Sequence, residues 1–346
     1  MPSEYELRSA DPEREAWTAA VADHPEATPF HTREWCRAVD VGFDYDPAHR
    51  FVYETGSDAL AAVVPGFSIS GLGGRTVVNP FCEYGFPLLT PEADEVGVFR
   101  ALAADVGPLG ARVVKDARWR GARGYNPAGY GATETGAVIR IDADRDYDAV
   151  RETEFASSTR RCLRSAATAG LTLREGTVEE YYPIYLATMR RLGSPQFPRS
   201  FLTALETLFG DDCHVFLADD ADGETVGGLL ALDHDGTRMV WSNASYQRAW
   251  EARPNHFLYA AAIEDACAGD LDVFDCGRSR PGSTVHDFKA AFGGREFPLA
   301  SFVTPAHRTG RASLEGYSRA GAITPYLGGV ITNRAVGPRL KRFIHE

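Results

Sequence analysis

Lysine is almost missing from this chain. Lys115, Lys289 and Lys341 are its only lysines, so 33 of its 36 Lys and Arg residues are arginine. Positive charge is short overall as well: 48 Asp and Glu residues leave a net charge of −12. That balance excludes a protein that binds nucleic acid over a broad face, because neutralising phosphates needs a basic surface, although local basic patches stay open. Acid-rich, lysine-poor composition points to a halophilic type of adaptation, in which a negative surface keeps the protein dispersed. With a Debye length of about 3 Å in 1 M salt, long-range steering of a charged substrate is weak in such a habitat.

Long apolar runs are absent too. Nowhere do about 18 apolar residues stand together, as a spanning helix would need. The start, MPSEYELRSADPERE, is acidic and polar where an export signal would be basic and then apolar. A cytoplasmic protein is expected. Cys36, Cys82, Cys162, Cys213, Cys267 and Cys276 are widely spaced, without the C-x-x-C pairs of zinc or redox sites, and read as reduced, mostly buried small hydrophobes. The nine histidines form no H-E-x-x-H or H-x-E pattern, so no metal is expected from local sequence. Internal repeats, low-complexity tracts and long linkers are lacking.

What is present fits two α/β cores. A chain of 346 residues, 44% hydrophobic and 11% aromatic, is about two domains long at roughly 100–200 residues each. The expected division is residues 1–146, residues 147–305, and a tail over 306–346. In the first part, helical spacing runs over Asp11 to Ala22 and through HTREWCRAVD. Strand-like HRFVYE, LAAVVPGFSI and RTVVNPF follow, then irregular CEYGFPLL, a helix from Pro91 to about Val106, and strands ARVVKDA and AVIRID.

From about Tyr147 longer helices take over. One covers Phe155 to Ala167, with Gly170 placed to end it and Arg160, Arg161 and Arg164 on its polar side. Thr177-x-x-Glu180 is a capping box for the next, although Pro183 inside the pattern allows a start one turn later. A helix over Arg199 to Phe209 precedes strands CHVFLA, VGGLLALDHD and RMVWSNAS. Asp235-Gly236 makes the last two a hairpin. Pro254-Asn255 opens a helix to about Ala268, and strand DVFDC follows. No Rossmann fingerprint accompanies this mixed α/β pattern.

Two features carry chemistry. Strand DVFDC ends in Gly277-Arg278-Ser279, and ligands of α/β sheets collect beyond such carboxyl ends, which marks Asp275, Arg278 and Ser279. The simpler alternative is that Gly277 turns the chain and Arg278 pairs with a surface acid. Lys289 sits in the short helix HDFKAAFGG, conspicuous in a chain that otherwise uses arginine. A compact ammonium meets one oxyanion or phosphate as a point charge, which a guanidinium fork does less well; the alternative is an ordinary exposed helix lysine.

FDCGRS, a short spacer, then FK-x-x-FG and a proline-bearing strand from Phe297 to Val303 resemble the signature of the Fem-like branch of the GNAT acyltransferase superfamily, relatives of the peptidoglycan interpeptide-bridge aminoacyltransferases. PFHTREWCRAV, NPFCEYGFPLL, STRRCLRSAATAG, YLATMRRLGSPQFPRSFLTAL and the closing VGPRLKRFIHE are similar to segments of the same family. Cys276 stands where an aromatic residue is usual. The resemblance implies two tandem GNAT-like domains around a shared cleft, with an acyl-CoA or aminoacyl-tRNA as co-substrate and no tightly bound cofactor. The acceptor it implies is a small-molecule or lipid-linked amine, in a cell-envelope precursor or glycoconjugate.

Carried over by motif, Lys289 faces the donor's phosphate or the developing oxyanion, and Asp275 and Arg278 line the cleft. A backbone N–H on a splayed strand, expected within Val226 to Leu232, polarises the carbonyl. The usual glycine-rich pyrophosphate loop is not evident; YQRAWEARPNH stands there, with Arg253 and Asn255 as phosphate contacts at a helix start. Asp275 ranks first as proton acceptor and Glu83 second, although Glu83 with Tyr84, in the Cys82–Gly85 loop, fits acceptor binding better. Arg160 and Arg164 would bind a phosphate-bearing substrate or form a solvated face. Asn243 and Tyr246 would line the cleft or satisfy strand ends. The basic amphipathic tail (Val330, Ile331, Arg334, Val336, Arg339, Leu340, Lys341, Arg342, Phe343, Ile344) would rest on the inner face of an anionic membrane or dock on the protein itself. An acyltransferase is the leading reading. The alternatives are an inert GNAT-like module that binds an envelope component, and an enzyme whose donor is ordinary acetyl-CoA.

Overall fold

Short, largely apolar runs set the strands of the first half in the computed structural model, which describes residues 4–22, 24–71, 74–107, 110–116, 127, 129–269, 271–307 and 337–341. Two compact units divide the chain within strands: the first runs to Thr135 and takes the chain back from Pro298, and the second begins at Gly136 and extends to Phe297. This differs from the boundaries expected at 146 and 305, the first of which followed the change to longer helices and not the sheet.

The first unit contains, in chain order, β1 (Tyr5–Ser9), α1 (Glu15–Ala22), α2 (Arg33–Gly42), β2 (Asp46–Pro47), β3 (Arg50–Glu54), β4 (Leu60–Val64), β5 (Phe67–Gly71), β6 (Gly74–Val78), β7 (Leu88–Leu89), α3 (Glu95–Asp105) and β8 (Gly110–Asp116). β1, β3, β4 and β7 form one antiparallel sheet in that order, with Val52, Ala62, Val98 and Leu102 in its core. LAAVVPGFSI, expected as one strand, is two. Pro65 has no N–H for a ladder, and Gly66 turns the chain, its N–H donating to His49 Nδ1 at 3.1 Å. The helix expected from Pro91 begins at Glu95, because the Asp94 carboxylate accepts the N–H groups of Val96 and Gly97.

β9 (Gly131–Asp142) leads into the second unit, which continues through α4 (Tyr147–Thr153), α5 (Ser157–Thr168), β10 (Thr172–Glu175), α6 (Val178–Leu192), α7 (Arg199–Phe209), β11 (Cys213–Asp219), β12 (Thr225–His234), β13 (Thr237–Ser245), α8 (Pro254–Ala268), β14 (Val273–Ser279), α9 (Thr284–Ala290) and the start of β15 (Arg295–Thr304). Its strands lie in the order β10-β11-β12-β13-β14-β9; β13 and β14 run parallel, and the other neighbours run antiparallel. The Thr177 and Glu180 side chains cap α6 reciprocally and start it at Val178, so Pro183 lies inside the helix. Asp235 and Gly236, both at positive φ, close the β12–β13 hairpin.

Two neighbouring glycines fix where the helices sit. A Cβ on Gly227 would meet Leu258 and Pro254 of α8, and one on Gly228 would strike Tyr181 of α6. Successive residues of a strand face opposite ways, so α8 and α6 cover opposite faces of β12. On the α8 side, Phe155, Tyr259, Phe274, Cys276 and Phe292 build the core that supports β14 and α9. Of the tail, a short helix α10 (Gly337–Lys341) is described, with Arg339 exposed and Lys341 buried; the remaining expected tail contacts lie outside the described residues. No helix among the described residues is long and apolar enough to cross a membrane.

Candidate active site

The parallel pair β13–β14 is short. Thr237, Arg238 and Met239 pair with Val273, Phe274 and Asp275, and the register ends there, although β13 continues to Ser245 and β14 to Ser279. The strands therefore part beyond Met239 and Asp275. The expected position of a splay, Val226 to Leu232, is instead a strand paired on both sides, with β11 and with β13. Nothing in an apolar run marks where a parallel partner stops, so the sequence could not place the gap.

Side chains take over the backbone groups that the parting strand exposes, as buried carbonyls require. The Tyr259 hydroxyl of α8 donates to the Cys276 carbonyl at 3.2 Å, and Lys289 Nζ of α9 donates to the Arg278 carbonyl at 2.9 Å. Gly277, at φ +73°, makes the bend possible: a Cβ there would run into the Val240 carbonyl and stand 3.4 Å from Lys289 Nζ. Lys289 is thus a buried ammonium, 7% exposed, and not a solvated helix lysine. Between it and Asp275 lies Cys276. Burial pushes that thiol up to about 12, with Lys289 pulling down and Asp275 adding to the rise.

Asp275 is fully buried, and both its oxygens are engaged. Oδ2 accepts from Arg140 Nε at 3.0 Å across the β14–β9 register, and Oδ1 accepts from the Gly277 N–H at 2.8 Å. Such a carboxylate fixes the strand end; acting as a base would require it to leave those donors. Arg278 is half-buried, its stem against the Cα of Gly136. Ser279 closes the strand with Oγ 3.1 Å from His286 Nδ1.

Sequence reasoning missed Arg140, Tyr259, His286 and Glu296. His286 stands one helical turn before Lys289, a spacing that would have flagged it. Arg140, a lone cation in the apolar strand AVIRID, was a second available signal.

The other expected residues fall into separate places. Asn243 Nδ2 donates to the Gly228 carbonyl at 3.2 Å, and Tyr246 lies just beyond β13 with the Arg248 guanidinium over its ring. Arg253, in the left-handed region, and Asn255 stand at the start of α8, where Asn255 Oδ1 is buried without a hydrogen-bond partner. The adjacent His256 packs edge-on to Phe288, 4.9 Å between centroids, and burial and then Arg253 hold its pKa low.

Arg160 and Arg164 line a cavity of about 800 Å³ between α4, α5 and α8, together with Arg151, Phe257, Ala260 and Glu264. Arg160 also donates through Nη1 to the carbonyls of Arg151, Glu152 and Phe155, closing the end of α4; the Arg164 side chain is exposed. In the first unit, Tyr84 is buried with its ring edge-on to Phe30, and Glu83 is half-buried beside it. The six cysteines are free, four of them buried. Among the described residues, no group of three or more His, Cys, Asp and Glu side chains is arranged to hold a metal ion.

Residues 153–290 match the family described as the acetyltransferase (GNAT) domain. Among solved structures the chain is similar to FemX, with a TM-score of 0.59 and 12% identity over 87% of this chain and 98% of that one. It is similar also to the C-terminal domain of a putative lysylphosphatidylglycerol synthetase from Agrobacterium fabrum, with a TM-score of 0.54 and 16% identity over 84% and 91% of the two chains. A tandem GNAT protein from the clavulanic acid biosynthesis pathway, solved without acetyl-CoA, gives 0.53 and 13% over 87% and 98%. No curated protein matches this sequence. The solved structures share a GNAT-like fold with this chain, a tandem GNAT protein among them, and residues 153–290 match the GNAT domain itself.

Proposed function

We propose that this protein is an N-acyltransferase that moves an acyl or aminoacyl group, carried on CoA or tRNA, onto an amine of a cell-envelope precursor or glycoconjugate. The observation that carries this reading is the parting of β13 from β14, with a buried ammonium, Lys289, held at the end of the gap. A donor carbonyl entering that gap meets the β13 backbone beyond Met239, where the ladder with β14 has ended. As the carbonyl oxygen gains charge, fixed donors and a cation in a water-poor site stabilise it without having to reorganise.

In this reading Lys289 supports the oxyanion or the donor's phosphate, and Asp275 positions the strand end through Arg140 and the Gly277 N–H. Arg278 and Ser279 line the reacting end, and Asn243 and Tyr246 the β13 side. Arg253 contacts a donor phosphate at the start of α8. The unsatisfied Asn255 oxygen calls for a donor, such as an amide N–H or a ribose hydroxyl of the co-substrate. Arg160 and Arg164 take a phosphate-bearing part of the substrate in their cavity, and within the first unit Glu83 with Tyr84 bind an acceptor. A neighbour named as a putative lysylphosphatidylglycerol synthetase supports an envelope acceptor, met by a cytoplasmic protein at the membrane's inner face.

Purified protein with a panel of acyl-CoAs and aminoacyl-tRNAs, and amino sugars as acceptors, tests this by mass detection of the amide. Lys289→Ala is expected to lower the transfer rate by about 100-fold or more. Equal background from wild type and Lys289→Ala with every donor would end the enzymatic reading.

A further inference from the structure

We infer that Ser279 and His286 form the line along which the acceptor amine loses its proton, with Ser279 touching the amine and His286 holding the proton behind it; this rests on the acyltransferase reading above. Asp275 is poorly placed to be the base, since it would have to leave Arg140 and the Gly277 N–H. Ser279 follows Arg278, whose carbonyl holds Lys289 Nζ at 2.9 Å, and so stands at the end of the gap between β13 and β14. Ser279 and His286 are buried, 6% and 8% exposed, at the end of β14 and in the first turn of α9. Ser279 Oγ lies 3.1 Å from His286 Nδ1, and His286 Nε2 lies 3.3 Å from Glu296 Oε2 on β15. The Ser283 hydroxyl accepts the His286 N–H at 3.1 Å, which fixes the backbone that carries the ring. With its proton on Nε2 and directed at Glu296, the ring presents the Nδ1 lone pair to the Ser279 hydroxyl. Around this line, Arg278 and Arg280 flank Ser279, Asp287 and Lys289 follow His286 on α9, and Arg295 precedes Glu296 on β15.

The neutral acceptor nitrogen attacks the donor carbonyl directly, and the N–C bond forms. As it does, a proton passes from that nitrogen to Ser279 Oγ while the Ser279 proton passes to His286 Nδ1, leaving an imidazolium faced by the Glu296 carboxylate. The C–S bond of a thioester or the C–O bond of a tRNA ester then breaks, and the departing sulfur or oxygen takes the proton back from His286 through Ser279. The products are the amide and a free thiol or hydroxyl. Ser279 and His286 end as they began, and Ser279 forms no bond to carbon.

The test follows amide formation by the full chain against pH, with the most active acyl-CoA or aminoacyl-tRNA and amino sugar of the panel above. In wild type both the amine and His286 must be unprotonated, so the acid limb of log kcat/KM should approach a slope of about 2; in His286→Gln the amine alone titrates, and the slope should be about 1. On the alkaline plateau His286→Gln and Ser279→Ala should each be slower by about 100-fold, and Glu296→Gln by less. Urea midpoints of the three variants report whether they remain folded. A folded His286→Gln that keeps the wild-type rate or the steeper limb overturns the inference and leaves the acyltransferase reading standing. Undiminished transfer by Ser279→Ala does the same. A wild type that acylates no amine from any donor overturns both.

Discussion

Single residues decide the site, and the three lysines show how. All are buried: Lys289 on the Arg278 carbonyl, Lys115 on the Cys82 carbonyl at 3.1 Å, and Lys341 over the Phe81 ring. Solvent-facing cations are arginines, whereas lysine is kept for interior places that a compact ammonium fits. Scarcity made Lys289 legible in the sequence; its burial and its partner were not, because both depend on how α9 packs on β14. Gly277→Ala should lower the urea midpoint by about 2 kcal/mol of stability, since a Cβ meets the Val240 carbonyl at a positive φ. Arg140→Met should cost about 3 kcal/mol by the same measurement, because it leaves the Asp275 carboxylate buried without its cation. His49 adds a pH dependence. Burial lowers its pKa from 6.5 to about 4, with Arg50 lowering and Asp11 raising it. Its folded form thus stays neutral while the unfolded chain takes a proton. Stability is expected to fall on the order of 3 kcal/mol between pH 6.5 and 4, and His49→Gln should remove that slope in urea titrations at several pH values.

Elements were read with more success where a local signal is strong. The capping box at Thr177 and Glu180, the Asp235-Gly236 turn and the helix Arg199–Phe209 all stand where their residues place them. Thr177→Ala should cost about 1 kcal/mol, read as a shift in thermal midpoint, by removing the oxygen that accepts the Glu180 N–H. Reading failed where one apolar run serves two strands, as at Pro65, and where pairing is non-local, as in β12 and β13. An alternating or continuous apolar pattern says that a strand is buried. It says nothing about how many of its residues have a partner, and the candidate site is made by that difference.

At the scale of the molecule, charge and topology behave differently. The net charge of −12 makes self-repulsion a feature of the whole surface, so the thermal midpoint should rise between 0.1 M and 2 M KCl as the Debye length contracts from about 10 Å to a few ångströms. A midpoint that stays flat or falls over that range would count against the high-salt reading of the composition. The division into units, in contrast, runs through the middle of β9 and β15, places that composition does not mark.

The sequence by itself determined the α/β class, most helices and hairpins, and a stretch from Val273 to Gly294 in which a strand end and one lysine stand out, because each depends on neighbours a few residues apart. Tertiary structure alone decided where β13 and β14 part, that Asp275 is tied to Arg140, and that Ser279, His286 and Glu296 fall into line. Those relations join residues up to 135 positions apart, and only the packing of strand on strand and helix on sheet brings them within hydrogen-bond reach.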